Sequence, residues 1–413
     1  MDRGDKMKII QGEKVHIKSW CDNPESGAID QAINLAKLPF VFKHVALMSD
    51  THQGYGMPIG GVIACENIII PNAVGVDIGC GMCAVKTSIL AKDLNTETLK
   101  KIMGEIRKVI PMGNGKGGSH EEPQDKDLMP TCLERPVVNQ ESIILQQFDR
   151  ARHQLGTLGG GNHFIEIQTD GEYVWIMIHS GSRNLGHIVA THYNYLAKDI
   201  NEKYHSSVNK SMDLAFFPFH SKEGQAYYKE MQYCMDFALN NRLLMMKRVI
   251  KVFQDEFKLD GGEIVGNYQF KAPKDNGIIN IAHNYASLEN HFGRNLVIHR
   301  KGATRAYEGE IGIIPGSQGT SSYIVKGKGN VDSFKSCSHG AGRNMSRSKA
   351  RATLNLEDEI KKMDDKGIIH GIRTQKELDE SSSAYKDINV VMKEQKDLVD
   401  IVVKLEPLGS IKG

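Results

Sequence analysis

Glycine-flanked polar motifs recur along this chain from Asp50 to the C-terminus, with no linker-like stretch between them. Independent domains would gather such motifs into separate blocks. Their dispersal instead predicts one interleaved α+β domain over residues 1–413, whose strand ends and loops return repeatedly to one place. At 413 residues the chain is long enough for two or three domains, so the pattern and not the length argues for one. Val45 to Met48, Gly61 to Ala64, Phe164 to Ile167, Val174 to Ile178, Leu296 to Ile298, Ile311 to Ile314 and Tyr323 to Val325 read as strands. Between the first two, Asp50-Thr-His52-Gln-Gly-Tyr-Gly reads as a polar loop. Leu99, Ile102, Met103, Ile106, Val109 and Ile110 recur at helical spacing and stop at Pro111. Residues 196–275 read as mostly helical, with Met231, Met235, Leu239, Leu243, Met246, Ile250 and Phe253 as a core stripe. A C-terminal helix is expected from Ile388, Val391, Met392, Gln395, Val399 and Val402.

Within this frame the stretch Asn72-Ala-Val-Gly-Val-Asp77-Ile-Gly-Cys80-Gly-Met-Cys83 sets a carboxylate and a thiol three residues apart among glycines. Glycine permits the sharp turns that let both side chains converge. A thiolate can bridge two metal ions, and a carboxylate suits a harder one such as manganese. The bland alternative is a turn with an inert buried cysteine. Cys80 and Cys83 also have C-x-x-C spacing, but no second such pair completes a zinc knuckle. Gly113 to Gly118 formally spells G-x-G-x-x-G; it follows a helix and opens a polar loop, the wrong context for a dinucleotide site. No phosphate-loop sequence occurs, so any nucleotide must be held by other means.

Four histidines stand in similar settings: His163 after Gly159-Gly-Gly-Asn162, His179 before Ser-Gly-Ser-Arg183, His283 in Ile-Ala-His-Asn-Tyr, and His339 in Ser-Cys-Ser-His-Gly-Ala-Gly-Arg343. With Asp77 and Cys80 they make a plausible two-metal centre. Arg343, Arg347 and Arg351 follow at four-residue intervals, so a helix starting near Gly340 to Gly342 would line them on one face and offer its N-terminus to an anion. Arg294, Arg300, Lys301 and Arg305 form a second basic run, and guanidinium groups grip phosphate bidentately. Elsewhere charge is balanced, 52 basic against 50 acidic residues, so any nucleic-acid surface is a local patch. Seven scattered cysteines, an N-terminus without an apolar signal segment and the lack of a membrane-length apolar run predict a cytoplasmic protein with no membrane contact.

These residues resemble the RtcB family of RNA-splicing ligases. The resemblance runs from about Leu38 to Gly413 through Asp50-Thr-His-Gln-Gly-Tyr-Gly-Met-Pro-Ile-Gly-Gly, Gly75-Val-Asp-Ile-Gly-Cys-Gly and Gly156-Thr-Leu-Gly-Gly-Gly-Asn-His-Phe-Ile-Glu166. It continues through His179-Ser-Gly-Ser-Arg, Arg300-Lys-Gly-Ala-Thr-Arg-Ala, Pro315-Gly-Ser, His339-Gly-Ala-Gly-Arg-Asn-Met-Ser-Arg347, Ala384-Tyr-Lys-Asp-Ile and Lys412-Gly413. Asp379-Glu-Ser-Ser-Ser stands where family members usually carry a proline, and Cys83 is not a usual family residue.

The resemblance implies a mixed-sheet domain with helices around a central dinuclear metal pocket. Cys80 would bridge two manganese ions, with Asp77 and His163 on one and His179 and His283 on the other. His339 would be the nucleophile that takes GMP from GTP, kept neutral by neighbouring cations. Asn162 would hold a phosphate, Glu166, Tyr385 and Lys412 the guanine, and Ser317 with Gly340, Ala341 and Gly342 the rest of the nucleotide. Arg183, Lys301, Arg343 and Arg347 would bind RNA phosphates. The activity implied is GTP-dependent joining of RNA 3′-phosphate or 2′,3′-cyclic phosphate ends to 5′-hydroxyl ends, by a monomer, in RNA repair or tRNA splicing. Two other readings use the same residues: a dimetal phosphoesterase acting on RNA ends without GTP, and a non-catalytic RNA-binding factor. A rival nucleophile is Lys258, in a four-residue K-x-D-G match to lysine-guanylating ligases.

Overall fold

Two sheets meet at His283. In a computed structural model, which describes residues 7–113, 118–124, 142–259 and 277–413, the first sheet has six strands. Their order is Lys8–Ile10, His16–Ser19, Val41–Tyr55, Met57–Cys65, Arg294–Lys301 and Asn284–His291, with one parallel pair, His16–Ser19 beside Val41–Tyr55. The second has seven antiparallel strands in the order Ile279–Ala282, Gly81–Leu90, Tyr173–Ser180, Phe164–Thr169, Val399–Lys412, Ser322–Gly327 and Ile311–Ile314. His283 is the single residue between Ala282 in one sheet and Asn284 in the other.

The strand Tyr173–Ser180 is buried on both faces, which is why its sequence is an unbroken apolar run and not an alternation. Ile176 and Ile178 pack with the helix Thr96–Val109 and with Met245, Met246, Val249 and Phe253 of the helix Lys222–Phe257. Trp175 and Met177 face Ile279, Ile313, Ile324 and Leu405. The helix Lys222–Phe257 is about 54 Å long at 1.5 Å per residue, and its start is capped by Ser221 Oγ, which accepts from Gly224 N (3.0 Å). It is buried on more than the expected stripe, through Tyr227, Phe237, Asn241, Arg242 and Met245. Residues 196–259 are helical in two pieces, Arg183–Lys203 and Lys222–Phe257, with a turn and a two-residue strand between. The rest of the section expected to be helical lies outside the described residues, as do residues 114–117 of the glycine-rich loop.

Three local expectations are corrected. Asp50 to Tyr55 is the end of the strand Val41–Tyr55, whose bulges absorb the polar residues, and only Gly56 forms the bend. The C-terminal helix stops at Glu394; Val399 and Val402 lie on the strand Val399–Lys412, whose pairing with Ser322–Gly327 outweighs a helical spacing. The helix expected from Gly340 begins only at Arg347, capped by Ser346 Oγ accepting from Lys349 N (3.2 Å). Gly342, at φ +72°, turns the chain before it, so Arg343 is not on that helix.

Candidate metal centre and nucleotide cavity

The site lies where strand ends from both sheets arrive at one level. Cys80 precedes Gly81–Leu90, and Gly81 pairs with Ser180 and with Ala282. His179 pairs with Phe164, the residue after His163. Antiparallel register alone therefore brings Cys80, His163, His179 and His283 together.

Cys80 Sγ is 3.4 Å from His163 Nε2 and 3.3 Å from His179 Nε2, and all three residues are buried. His163 Nε2 is also 3.2 Å from Asp77 Oδ2. Each imidazole has its other nitrogen on a backbone carbonyl, His163 Nδ1 on Leu158 O (3.0 Å) and His179 Nδ1 on Asn162 O (3.1 Å). A ring that donates Nδ1–H to a carbonyl turns a lone pair outward at Nε2. Two such lone pairs, a sulfur and a carboxylate therefore crowd together with a single thiol proton to share. That donor set fits a cation. His283 adds a ring 5.2 Å from that of His179 and a buried Nδ1 without a hydrogen-bond partner.

The electrostatics point the same way. Burial, then the neighbouring imidazoles, push His179 and His283 well below the ordinary histidine value, so both are neutral donors. Burial pushes the Cys80 thiol well up, and the Asp77 carboxylate adds to it, so an uncompensated thiolate would be costly there. Desolvation opposes ionisation of Asp77, but the neighbouring His163 and Arg183 hold it below the usual carboxylate range. Cys83 points away into the apolar core and takes no part, which removes the C-x-x-C reading.

His339 stands beside this cluster, its ring centroid 4.8 Å from that of His283. Its Nδ1 lies 2.6 Å from Oδ2 of Asp50, and the same oxygen accepts from His339 N (3.1 Å) and Gly340 N (3.2 Å). Asp50 is fully buried, so it fixes the imidazole with its proton on Nδ1 and its lone pair on Nε2. A buried carboxylate is thus the group that orients His339.

A cavity of about 950 Å³ joins these parts. Asp77, Cys80, Asn162, His179, His283 and His339 reach its wall on one stretch; Ser317, Gly340, Ala341, Gly342, Tyr385 and Lys412 reach it on another. Lys412 is half-buried; desolvation pushes its ammonium down, while Glu380 and Glu166 support its charge. Glu166 is buried in the strand Phe164–Thr169, off the cavity wall, accepts from Gln168 Nε2 (2.5 Å), and is pushed by burial up to about 7. Arg343 and Arg347 are on the wall, and both pair with Glu380, at 3.3 Å and 2.7 Å. Lys301 is also there, but its Nζ already donates to Tyr55 O (2.5 Å) and Asn72 O (3.0 Å), and burial pushes it down to about 7. Arg183 is behind the wall, donating to Thr157 Oγ1 (3.1 Å) and Gly113 O (3.3 Å). Lys258 is an exposed residue at the end of the helix Lys222–Phe257, off the cavity; Asp260 and Gly261 lie outside the described residues.

A family model described as "tRNA-splicing ligase RtcB" matches residues 31–413. The chain belongs to the RtcB family of RNA-splicing ligases. It is 38% identical to the RNA-splicing ligase RtcB of Escherichia coli strain K12 over 98% of this chain and 99% of that one. It is 32% identical to the tRNA-splicing ligase RtcB of Nanoarchaeum equitans, over 94% and 92% of the two chains. The corresponding protein of Thermococcus kodakarensis is also 32% identical, over 93% and 91%.

Beyond the residues that carry the RtcB resemblance, three groups escaped the sequence reading. Asp50 stands in a quoted motif, yet nothing local marks it as the partner of a residue 289 positions away. Glu380 sits in the segment that departs from the family pattern and proves to be the hub for Arg343, Arg347 and Tyr385. Asn241 and Arg242, buried mid-helix, brace the site loops. Asn241 Oδ1 accepts from Gly156 N (2.7 Å) and Thr157 N (3.1 Å), and its Nδ2 donates to Gly181 O (3.2 Å). Arg242 Nη1 donates to Gly79 O (2.9 Å) and Ser180 O (2.8 Å). Two polar residues interrupting a core helix were the available signal, since such groups are buried only when paired.

Proposed function

We propose that this protein joins RNA ends that carry a 3′-phosphate, or a 2′,3′-cyclic phosphate, to 5′-hydroxyl ends, consuming GTP, in RNA repair or tRNA splicing. The observation that carries the reading is His339: an imidazole fixed by a buried carboxylate at Nδ1, with no hydrogen bond to Nε2 among the described residues, one ring away from a Cys/His cluster in a cavity of nucleotide size.

A phosphate monoester is a poor electrophile until it acquires a leaving group. His339 Nε2 attacks the α-phosphorus of GTP, the N–P bond forms and pyrophosphate leaves. Asp50 stabilises the charge that develops on the ring and holds the attacking lone pair in place. The GMP then passes to an oxygen of the RNA 3′-phosphate and frees His339. The 5′-hydroxyl oxygen attacks that activated phosphorus and GMP departs, leaving a 3′,5′-phosphodiester. Lys412 and Tyr385 orient the guanine, with Glu166 supporting the Lys412 charge from behind the wall, and Asn162, Ser317 and the Gly340 to Gly342 backbone hold the nucleotide. Arg343 and Arg347 neutralise phosphates at the wall, while Lys301 and Arg183, held by backbone and side-chain acceptors, add positive charge beside and behind it. Asp77, Cys80, His163, His179 and His283 would hold two manganese ions, which supply Lewis-acid stabilisation of the charge moving between phosphate oxygens. Among the described residues, six buried cysteines without a disulfide support a reducing compartment, and we place the protein in the cytoplasm as a single-domain monomer. No helix among the described residues is long and apolar enough to cross a membrane.

The test is an end-joining assay with defined 3′-phosphate and cyclic-phosphate RNAs, with and without GTP and manganese. Joining that needs both cofactors supports the reading. Phosphate release without GTP would favour a phosphoesterase, and binding without turnover a passive RNA-binding factor.

A further inference from the structure

The turn after Asp50-Thr-His52 is braced more heavily than a surface hairpin requires. Gln53 N donates to Glu25 Oε2 (3.1 Å). Gln31, from the helix Ser26–Ala36, grips Gly54 twice: its Nε2 donates to Gly54 O (2.6 Å) and its Oε1 accepts from Gly54 N (3.0 Å). The buried ammonium of Lys301 donates to Tyr55 O (2.5 Å). Gly56 closes the bend at φ +66°, with its Cα so near Asp213 that a side-chain carbon would meet that residue's carbonyl at 2.5 Å. Four hydrogen bonds and a steric floor thus fix the backbone of three consecutive residues.

What the brace presents is Tyr55. Its side chain is 76% exposed on the cavity wall, and among the described residues its ring and hydroxyl touch no partner. Other exposed tyrosines differ. Tyr195 and Tyr204 each lie under a lysine of their own helix, Lys198 at 5.8 Å and Lys203 at 5.6 Å. Scattered surface aromatics need no explanation, but a rigid backbone carrying a free ring beside a reaction cavity does. Tyr55 belongs to the part of the wall that continues through Lys301 and Gly302 to His339, since a side-chain carbon on Gly302 would lie 3.1 Å from His339 Cε1. Tyr385, Glu380 and Lys412, where the guanine is placed, form another part.

We propose that Tyr55 is a stacking platform for an unpaired nucleobase of the RNA end that enters the cavity. The inference rests on the RNA-joining reading and names where the strand runs. Every base has a π face, so stacking on a pre-set aromatic ring holds a strand without selecting its sequence, while phosphates meet the basic groups nearby. With the backbone already fixed, only the side-chain rotations of Tyr55 remain to be lost on binding.

The test compares Tyr55→Ala and Tyr55→Phe with the wild type, after thermal midpoints verify folding. Tyr55→Ala should raise KM for RNA about 5- to 150-fold, the range of one lost base stack, while Tyr55→Phe stays near wild type. RNAs carrying 2-aminopurine next to the 3′-phosphate or next to the 5′-hydroxyl show which end supplies the base. Fluorescence quenching that Tyr55→Ala abolishes marks that end. An unchanged KM together with unchanged quenching from both probes in Tyr55→Ala overturns the proposal. Tyr55-dependent quenching in a protein that never joins RNA would sink the ligase reading and leave the platform standing.

Discussion

The buried Asp50–His339 pair offers the sharpest perturbation, Asp50→Asn. Asp50 Oδ2 accepts three hydrogen bonds, from His339 N, His339 Nδ1 and Gly340 N, and the residue is fully buried. Asn has the same shape, but all three bonds fall on one oxygen, so its amide sets either its oxygen or its NH₂ against all three groups at once. At His339 Nδ1 the carboxylate is lost. If the amide turns its NH₂ there, the ring proton is driven to Nε2 and the attacking lone pair disappears. Replacing the carboxylate behind a catalytic histidine by its amide costs about 10⁴-fold in a serine protease triad, so a loss of about 10³- to 10⁴-fold, roughly 4–5 kcal/mol in the barrier, is expected here. The fold should survive, because the side-chain volume is unchanged: an amide oxygen in the place of Oδ2 keeps every bond, and an NH₂ there gives up the two backbone bonds, about 1–3 kcal/mol each. The assay is single-turnover transfer of labelled GMP from GTP to the protein with manganese, next to a thermal melt of each protein. GMP transfer by a folded Asp50→Asn variant within a few-fold of wild type would refute the assignment of Asp50 as the group that sets the tautomer of His339.

Cys80→Ala should abolish tight manganese binding, because the one atom within 3.4 Å of both His163 and His179 disappears; metal analysis after gel filtration, expected to give about two ions for wild type, reads this directly. Arg242→Met strips Gly79 O and Ser180 O of buried donors and should cost about 2–5 kcal/mol, seen as an earlier denaturation midpoint with a weaker metal affinity. Glu166 is raised from 4.5 to about 7, so its folded form binds the extra proton: stability from this group is complete below pH 4.5 and is lost as pH rises through 7. Glu166→Gln should therefore flatten the fall in stability across that window, by at most about 3 kcal/mol, in urea titrations at stepped pH without nucleotide.

The central strands, and the convergence of Asp77, Cys80, His163, His179, His283 and His339, were legible in the sequence because both signals are local. Val174 to Ile178 is an apolar run that only a doubly buried strand explains; His163, His179 and His339 stand beside glycines, and His283 precedes a polar Asn-Tyr pair. Where reading failed, a distant partner decided. Val399 and Val402 keep helical spacing with Ile388 but lie on a strand claimed by Ser322–Gly327. Arg343, Arg347 and Arg351 are spaced for a helix, yet Gly342 turns the chain and Glu380 gathers the first two from outside it. Asp50 hid in a stretch that read as a loop, since its value depends on a contact no local pattern encodes.

The central claim is that His339 carries the guanylate. Incubating wild type, His339→Ala and Lys258→Ala with α-labelled GTP and manganese, then following label on the denatured chain, tests it most directly. The account predicts acid-labile, alkali-stable label on wild type and Lys258→Ala, and none on His339→Ala. Label retained by His339→Ala and missing from Lys258→Ala would contradict it.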